Sequence, residues 1–238
     1  MKMEFKRLEL IIGNKNIEKL KNSHIAIFGL GGVGGYVAEG LSRSGIGQFT
    51  LIDYDIVDIT NINRQIIATH SSIGKYKTEL FEKRIKDINP DAKIKLLTKK
   101  YEKSENELFF GEEHYDFVVD AIDMVTSKID LIVSCYEKNI PIISSMGMGK
   151  RLDPSHIRLT TLDKTYNCSL AKVMRRELKE YGITKLPCVF SDEICEFALA
   201  DKSTEKKVIG SSAFVPSVAG FTIASYIIRN LIGEENEK

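Results

Sequence analysis

Several residue types are rare in this chain. Its 238 residues include no tryptophan, five prolines and four cysteines. No two cysteines form a C-x-x-C pair, which argues against a structural zinc site. The formal net charge of +1 excludes a global electrostatic attraction to nucleic acids or membranes. Because no apolar core follows the charged first residues, we expect no signal peptide, reduced thiols and a cytoplasmic location.

Long apolar runs are also scarce, and one segment, residues 213–232, has the length of a membrane span. The segment contains Pro216, several serines and threonines, and Arg229 near its end. Past Pro216, apolar residues cover most of the helix surface, as in a helix that is buried inside a protein. We therefore predict a buried or interface helix and no stable membrane insertion.

Short apolar runs alternate with helical patterns along the chain. The predicted strands are at 25–28, 49–52, 93–97, 117–119 and 141–144. The predicted helices are at 33–44, 77–88, 126–139, 170–181 and 218–231. This alternation predicts an α/β fold, with a Rossmann-like, mostly parallel sheet and helices on both faces.

The pattern loosens after about residue 150. We predict an N-terminal domain over residues 1–150 and, over residues 151–238, a C-terminal extension of the same globule. In the extension, short strands at 157–162 and 189–191 surround one helix. The polar stretch 191–210 is predicted to be a mobile loop.

A glycine loop follows the first predicted strand. Gly29, Gly31 and Gly34 fit G-x-G-x-x-G between a strand and a helix. Glycines let the backbone approach a phosphate, and the helix N-terminus offers free N–H groups. Asp53, 19 residues after Gly34, can bind ribose hydroxyls. On these residues alone NAD and ATP are equal candidates, and a turn without a ligand is the less favoured alternative.

A second group of polar residues favours a triphosphate. Asn61, Arg64 and Gln65 follow the second strand, and Lys77 begins the next helix. An Arg and a Lys near the glycine loop can neutralise β- and γ-phosphates and stabilise departing pyrophosphate. Asn61 and Gln65 can hydrogen-bond phosphate or ribose. A hydride-transfer enzyme does not need these cations, and ordinary surface charge is the remaining alternative.

Two carboxylates, Asp120 and Asp123, follow the fourth predicted strand. Mg²⁺ prefers a few carboxylates together with phosphate oxygens and water. Asp123 lies further into the loop and is the predicted Mg²⁺ ligand. For Asp120, a role as a second Mg²⁺ ligand and a role in positioning the turn or capping the next helix are equally favoured.

Taken together, these residues resemble the ThiF/MoeB superfamily of adenylyltransferases, the relatives of ubiquitin-activating enzyme, over about residues 5–150. The matching positions are Gly29, Gly31, Gly32, Gly34, Asp53, Asp55, Asn61, Arg64, Gln65, Lys77, Asp120 and Asp123. The resemblance implies ATP, Mg²⁺ and the attack of a substrate carboxylate on the α-phosphate, which gives an acyl-adenylate and pyrophosphate.

The resemblance also assigns roles to individual residues. Asp53 binds ribose, whereas Asn61, Arg64 and Lys77 bind phosphate. Asp123 occupies the position of the magnesium-linked carboxylate. The catalytic candidates are therefore Arg64, Lys77, Asp123 and Arg7. Arg7 resembles the N-terminal arginine that reaches the partner's triphosphate in the homodimers of this family, and a charged residue on a frayed terminus is the alternative.

The second half resembles the TcdA (CsdL) branch of the superfamily, the tRNA threonylcarbamoyladenosine dehydratases. The matching segments are 144–154, 164–165, 170–176 and 214–220. The branch implies that ATP adenylates the threonine carboxylate of the modified adenosine in tRNA. A urea nitrogen then attacks the same carbonyl, closes a five-membered ring and expels AMP, with a net loss of one water. Proximity supplies much of the acceleration because the nucleophile is on the substrate.

The extension also carries candidate tRNA contacts. One stripe of the predicted helix, at i, i+3, i+4 and i+7, consists of Lys172, Arg175, Arg176 and Lys179. Residues 150–185 include nine Lys or Arg and four Asp or Glu, an excess that can track tRNA phosphates. A solvated helix face is an equal alternative. Lys150 and Arg151, beside a glycine turn, are further tRNA contacts and candidates for the substrate carboxylate.

Three other functions stay open. The first is an activator of a ubiquitin-like sulfur-carrier protein, although the paired zinc cysteines of such activators are missing. The others are an NAD-dependent dehydrogenase and a non-catalytic binding module. A sulfur-transfer partner protein is an open question. The cysteines Cys135, Cys168, Cys188 and Cys195 are interpreted as packed side chains in preference to acceptors of acyl or sulfur groups.

Overall fold

The computed structural model describes residues 3–111, 113–194 and 209–233. In these ranges, seven strands form one sheet in the order β3-β2-β1-β4-β5-β7-β6. The strands are β1 (His24–Phe28), β2 (Gln48–Ile52), β3 (Lys93–Leu97), β4 (Phe117–Asp120), β5 (Ile142–Ser145), β6 (Ile157–Thr161) and β7 (Pro187–Ser191). All neighbouring strands are parallel except β6 and β7. The predicted α/β class and mostly parallel sheet are confirmed.

Helices cover both faces of this sheet. They are α1 (Lys6–Ile12), α2 (Asn14–Asn22), α3 (Gly34–Arg43), α4 (Lys77–Ile88), α5 (Asn106–Phe110), α6 (Val125–Glu137), α7 (Ser169–Lys179) and α8 (Phe214–Ile232). The short helices α1, α2 and α5 were not predicted. Residues 195–208 of the loop predicted at 191–210, including Cys195, lie outside the described residues.

The central strands are apolar on both faces. In β1, Ile25 and Ile27 pack into the core under α3, α4 and α8, whereas Ala26 and Phe28 pack into the core under α5, α6 and α7. Successive side chains of a strand point to opposite faces. A parallel sheet covered by helices buries both faces, which explains the continuous apolar run in the sequence.

The C-terminal part joins the same sheet. β7 pairs with β5 through Ser144–Cys188 and Ser145–Val189, and β6 returns antiparallel along β7. The strands of residues 1–150 and of residues 151–238 therefore form one continuous layer.

The apolar segment considered as a membrane span is α8. By length and composition it is the one described helix that qualifies as a span. In the structure one side of α8 packs into the core, where Val215, Ala219, Ile223 and Ile227 are buried. This packing matches the prediction of a buried helix.

α8 and α3 approach each other closely at glycines. A Cβ at Gly220 would lie 2.6 Å from the Val33 carbonyl oxygen and 2.7 Å from Tyr36 Cβ. A Cβ at Gly40 would lie 2.8 Å from Ala224 Cβ. The two helices therefore pack backbone to backbone, and α8 holds α3 against the sheet.

We expect Gly220→Ala to destabilise the protein, although alanine has the better helix propensity. The added methyl group meets backbone that cannot move without shifting α3, and such overpacking costs about 1–3 kcal/mol. The free energy of unfolding in urea measures the effect. Ser225→Ala, on the exposed side of α8, is the control and should change little; equal stabilities of the two variants would contradict the close approach.

Candidate active site

A cleft of about 890 Å³ opens at the carboxyl ends of the strands. It lies where the strand order reverses between β1 and β4, the usual ligand crevice of such sheets. Predicted site residues that line it are Gly29, Gly31, Gly32, Asp53, Asp55, Asn61, Arg64, Gln65, Lys77, Asp123, Lys150 and Arg151. The structure therefore brings the predicted nucleotide-binding residues and the predicted substrate residues, Lys150 and Arg151, into one cavity.

The glycine loop is shaped by its own close contacts. Gly29 has φ +90, and a Cβ there would lie 2.6 Å from the carbonyl oxygen of Ala121. A Cβ at Gly34, at the start of α3, would lie 1.8 Å from the Gly29 carbonyl oxygen. Gly31 differs, because a Cβ there would meet only Gln65 Nε2, at 3.7 Å. The first two glycines thus build the loop, whereas Gly31 leaves space on the cleft side for a ligand.

Asp53 ties this loop to the end of β2. Its Oδ2 accepts the N–H of Leu30 at 2.7 Å, and its Oδ1 accepts the N–H of Asp55 at 2.8 Å. Burial raises the pKa of Asp53, and the nearby Lys77 ammonium and the two amides oppose that rise. Each carboxylate oxygen can accept a further hydrogen bond. Asp53 therefore braces the loop and can still receive a ribose hydroxyl.

Lys77 is a buried cation with a carboxylate partner. Its Nζ lies 2.7 Å from Asp55 Oδ2 and 3.9 Å from Asp53 Oδ2. An ammonium group has three donors, so Lys77 can hold Asp55 and contact a phosphate at the same time. Asp55 therefore lies in the cleft chiefly as the partner of Lys77.

Arg64 differs from Lys77, because no carboxylate of a described residue pairs with it. Its Nη1 donates to the Thr60 carbonyl at 2.9 Å and to Asn63 Oδ1 at 3.0 Å. Beside it, Gln65 Oε1 is buried and has no hydrogen-bond partner in the described part of the chain. Asn61 Oδ1 accepts the Asp58 N–H at 3.3 Å. This wall of the cleft offers an uncompensated positive charge and an unsatisfied amide to a polar ligand.

A buried ion pair that the sequence did not reveal lies beneath the cleft. Lys128 Nζ, on α6, lies 2.7 Å from Asp120 Oδ2, and both side chains are 0% exposed. Ser144 donates to the same carboxylate oxygen at 2.6 Å, and Asp120 Oδ1 accepts the Ile122 N–H at 3.3 Å. Asp120 therefore positions the turn that follows β4, which is one of the roles predicted for it. Asp123, at the end of that turn, is exposed and makes no hydrogen bond to a described residue.

Some predicted residues do not line the cleft. Arg7 lies exposed on α1, and Gly34 is buried at the start of α3. Of the basic stripe on α7, Lys172, Arg176 and Lys179 are exposed. Arg175 instead turns toward the protein and donates to the carbonyl oxygen and hydroxyl of Thr165. This inward contact argues against Arg175 as a freely exposed phosphate ligand.

The cleft contains side chains that the sequence did not single out: Lys99, Lys100 and Tyr101, after β3, also line it. Cys168, which was interpreted as a packed side chain, is buried and lies before α7 in the lining of the same cleft. Cys188 and Cys135 lie in the core, where burial raises the pKa of Cys188 to about 12 and raises that of Cys135 as well. Lys99 and Lys100 follow a weakly apolar strand, and only the strand order shows that they reach the cleft.

The fold and the cleft define a class: an α/β nucleotide-binding protein with a glycine loop at the switch point and a cationic wall beside it. The chain belongs to the ThiF family, whose model matches residues 5–238.

Individual relatives agree over nearly the whole length. The chain is 40% identical to a tRNA threonylcarbamoyladenosine dehydratase of Bacillus subtilis, over 96% of this chain and 94% of that protein. It superimposes with a TM-score of 0.89 on the E. coli tRNA N6-threonylcarbamoyladenosine dehydratase TcdA in complex with ATP, at 32% identity, covering 99% and 96% of the two chains. The AMP complex of the same E. coli protein gives a TM-score of 0.90.

We expect Lys128→Met to destabilise the protein by about 3–5 kcal/mol, because it leaves the Asp120 carboxylate buried without a counter-charge. The double variant Asp120→Asn/Lys128→Met removes both charges and should lose less than the sum of the two single losses. Urea unfolding of the four proteins measures this coupling. Strictly additive losses would show that the two side chains act independently.

Proposed function

We propose that the protein is an ATP-dependent dehydratase that cyclises threonylcarbamoyladenosine in tRNA through an adenylate of the threonine carboxylate. One observation carries this proposal: a single cleft gathers the glycine loop, Arg64, Lys77 and Asp123. The near full-length similarity to proteins with that name, at 40% identity, supports the choice of substrate.

The same proposal gives ATP an orientation in the cleft. The ribose lies at Asp53, at the end of β2, and the phosphates lie along Gly31 and Gly32 toward Arg64 and Lys77. The uncompensated Arg64 guanidinium and the third donor of Lys77 meet the negative charge of the triphosphate. The ATP and AMP complexes of the E. coli relative support nucleotide binding by this protein.

Asp123 is suited to a Mg²⁺ that is shared with the nucleotide. No group of three or more His, Cys, Asp or Glu side chains that could hold a metal occurs among residues 3–111, 113–194 and 209–233. A single exposed carboxylate beside a triphosphate still fits Mg²⁺, which takes most of its ligands from phosphate and water. When bound, the ion would neutralise charge on the phosphate oxygens.

In the reaction, a carboxylate oxygen attacks the α-phosphorus of ATP, and the bond to pyrophosphate breaks. Arg64 and Lys77 stabilise the charge that develops on the leaving pyrophosphate. A urea nitrogen of the substrate then attacks the activated carbonyl, loses its proton and expels AMP, which carries away the carboxylate oxygen. The product is lighter than the substrate by one water. The enclosing cleft protects the adenylate from hydrolysis.

The tRNA lies on the side of the cleft formed by residues 151–238. Ser169 and Leu170, at the start of α7, line the cleft, and the 11 residues of α7 extend about 16 Å away from it. Lys172, Arg176 and Lys179 are exposed along this helix and can follow the phosphate backbone. Arg175 holds α7 in place through its hydrogen bonds to Thr165.

Residues 1–150 serve adenylation, and residues 151–238 serve tRNA binding and the dimer interface. In a homodimer, the exposed Arg7 of one copy reaches the triphosphate of the other. A cytoplasmic location and a sulfur-transfer partner protein belong to the same proposal. A dimer mass in solution, and loss of activity in Arg7→Ala without loss of that dimer, would support the role of Arg7.

The first test uses purified protein, ATP, Mg²⁺ and tRNA that carries threonylcarbamoyladenosine. Mass spectrometry of the digested RNA, under mild conditions that preserve the ring, should detect a nucleoside lighter by one water. Arg64→Ala and Asp123→Ala should each reduce its formation by a factor of about 100 or more, since they remove charge stabilisation in the transition state.

Asp87→Ala is the matched control, because Asp87 is an exposed carboxylate on α4 and does not line the cleft. It should keep the activity of the natural sequence. An unchanged nucleoside mass beside an active reference enzyme would overturn the proposed function. Adenylation of a carrier protein with a Gly-Gly tail, without RNA, would then be measured.

A further inference from the structure

Arg151 is, after Arg64, the second guanidinium of the cleft lining that has no carboxylate partner among the described residues. Its Nη2 donates to the carbonyl oxygen of Asn167 at 2.7 Å, and this is its only hydrogen bond to a residue that the structure describes. Its Nε is buried without a hydrogen-bond partner among those residues, and none of their carboxylates pairs with it. A buried donor without a partner is unfavourable, so an anionic ligand that accepts from Arg151 would gain affinity.

The backbone around Arg151 is held in place from both sides. Lys150 has φ +56 and Asn167 has φ +50, a region that non-glycine residues adopt at a cost. Glu193, which is 7% exposed, accepts the N–H groups of Leu152 and Asp153 at 2.9 and 3.1 Å. The Lys150 N–H donates to the Gly210 carbonyl oxygen at 2.8 Å. Arg151 therefore projects from a fixed turn, which is a good support for a recognition residue.

Strand order separates Arg151 from the phosphate-binding loop. The glycine loop follows β1, the turn that carries Asp123 follows β4, and Arg151 follows β5. Neighbouring strands lie about 4.8 Å apart, so the ends of β1 and β5 are about 10 Å apart, with the Asp123 turn between them. A nucleotide over β2 and β1 places its reacting phosphate near β4. The β5 side, where Arg151 lies, is the side of this phosphate away from the glycine loop.

We infer that Arg151 binds the carboxylate of the substrate and aims it at the α-phosphate, so that it determines specificity for a carboxylate-bearing adenosine. This assignment rests on the proposed function. Nε and Nη1 are the donors of Arg151 that have no partner among the described residues and are left for the carboxylate. Lys150 fits this role less well, because its side chain is exposed and lacks the fork that matches a carboxylate.

The test compares two tRNAs that differ only in the carboxylate-bearing group: one with threonylcarbamoyladenosine and one with unmodified adenosine. Affinities are measured with an ATP analogue whose α,β-bridging oxygen is replaced by methylene, so that no adenylate forms. The proteins are the natural sequence, Arg151→Gln, Arg151→Lys and Arg158→Gln. Arg158 is the matched control, an exposed arginine on β6 that does not line the cleft.

The natural protein and Arg158→Gln should bind the modified tRNA at least tenfold more tightly than the unmodified one. Arg151→Gln should abolish this preference, Arg151→Lys should restore part of it, and affinity for the unmodified tRNA and for ATP should stay unchanged in both. An equal loss of affinity for both tRNAs in Arg151→Gln would overturn the inference, because it would make Arg151 a phosphate contact.

The same variants separate this inference from the proposed function. If the natural protein forms the lighter nucleoside while Arg151→Gln keeps the full preference for modified tRNA, the carboxylate assignment fails and the proposed function stands. If the natural protein forms no lighter nucleoside and shows no preference between the two tRNAs, both the proposed function and the carboxylate assignment fail.

If the assignment is correct, Arg151→Gln raises KM for modified tRNA and lowers kcat, and its KM for ATP does not change.

Discussion

The end of β4 is the constraint on which the cleft depends. The buried pair of Lys128 and Asp120, 2.7 Å apart, fixes the turn that follows, and the carbonyl oxygen of Ala121 in that turn leaves no room for a Cβ at Gly29. The close packing of the glycine loop against this turn therefore requires a glycine at position 29. Asp123 lies in the same turn, two residues after Ala121. A charged pair fully inside a protein is costly unless both groups are satisfied, and here Ser144 and a backbone N–H complete the partners of Asp120.

Three cations of the cleft, Lys77, Arg64 and Arg151, fall into two electrostatic groups. Lys77 is buried and already faces Asp55 and Asp53, so its charge is largely balanced before any ligand arrives. Arg64 and Arg151 have no carboxylate partner among the described residues, and they lie on different sides of the Asp123 turn. A lysine whose charge is neutralised by carboxylates holds the loops in place, whereas guanidinium groups without a carboxylate partner attract anions. This division matches a reaction in which two anionic substrates meet.

The apolar runs and helical periods of the sequence were sufficient to predict the five strands of the first half and the main helices. The strands show as short apolar runs, and the main helices are long enough to show their period. Helices α1, α2 and α5 were missed. They are 7, 9 and 5 residues long and contain too few turns to show a clear helical period. The helical period also placed Arg175 on an exposed stripe, but spacing along a helix cannot show that Thr165 lies close enough to bind it. Lys128 was missed for the opposite reason: a lysine within an apolar helix gives no sign of a partner until the strand that carries Asp120 is placed beside it.

By itself, the sequence determined which elements form and which chemical groups follow each strand, because glycine loops, apolar periods and polar strand ends are local properties. Tertiary structure alone decided which of these groups meet. The order β3-β2-β1-β4-β5-β7-β6 brings Lys128 to Asp120, Glu193 to the turn after Arg151, and Lys99 and Lys100 to the cleft. Such contacts join residues that are distant in the chain. They depend on the burial of both faces of one sheet, which no short segment encodes.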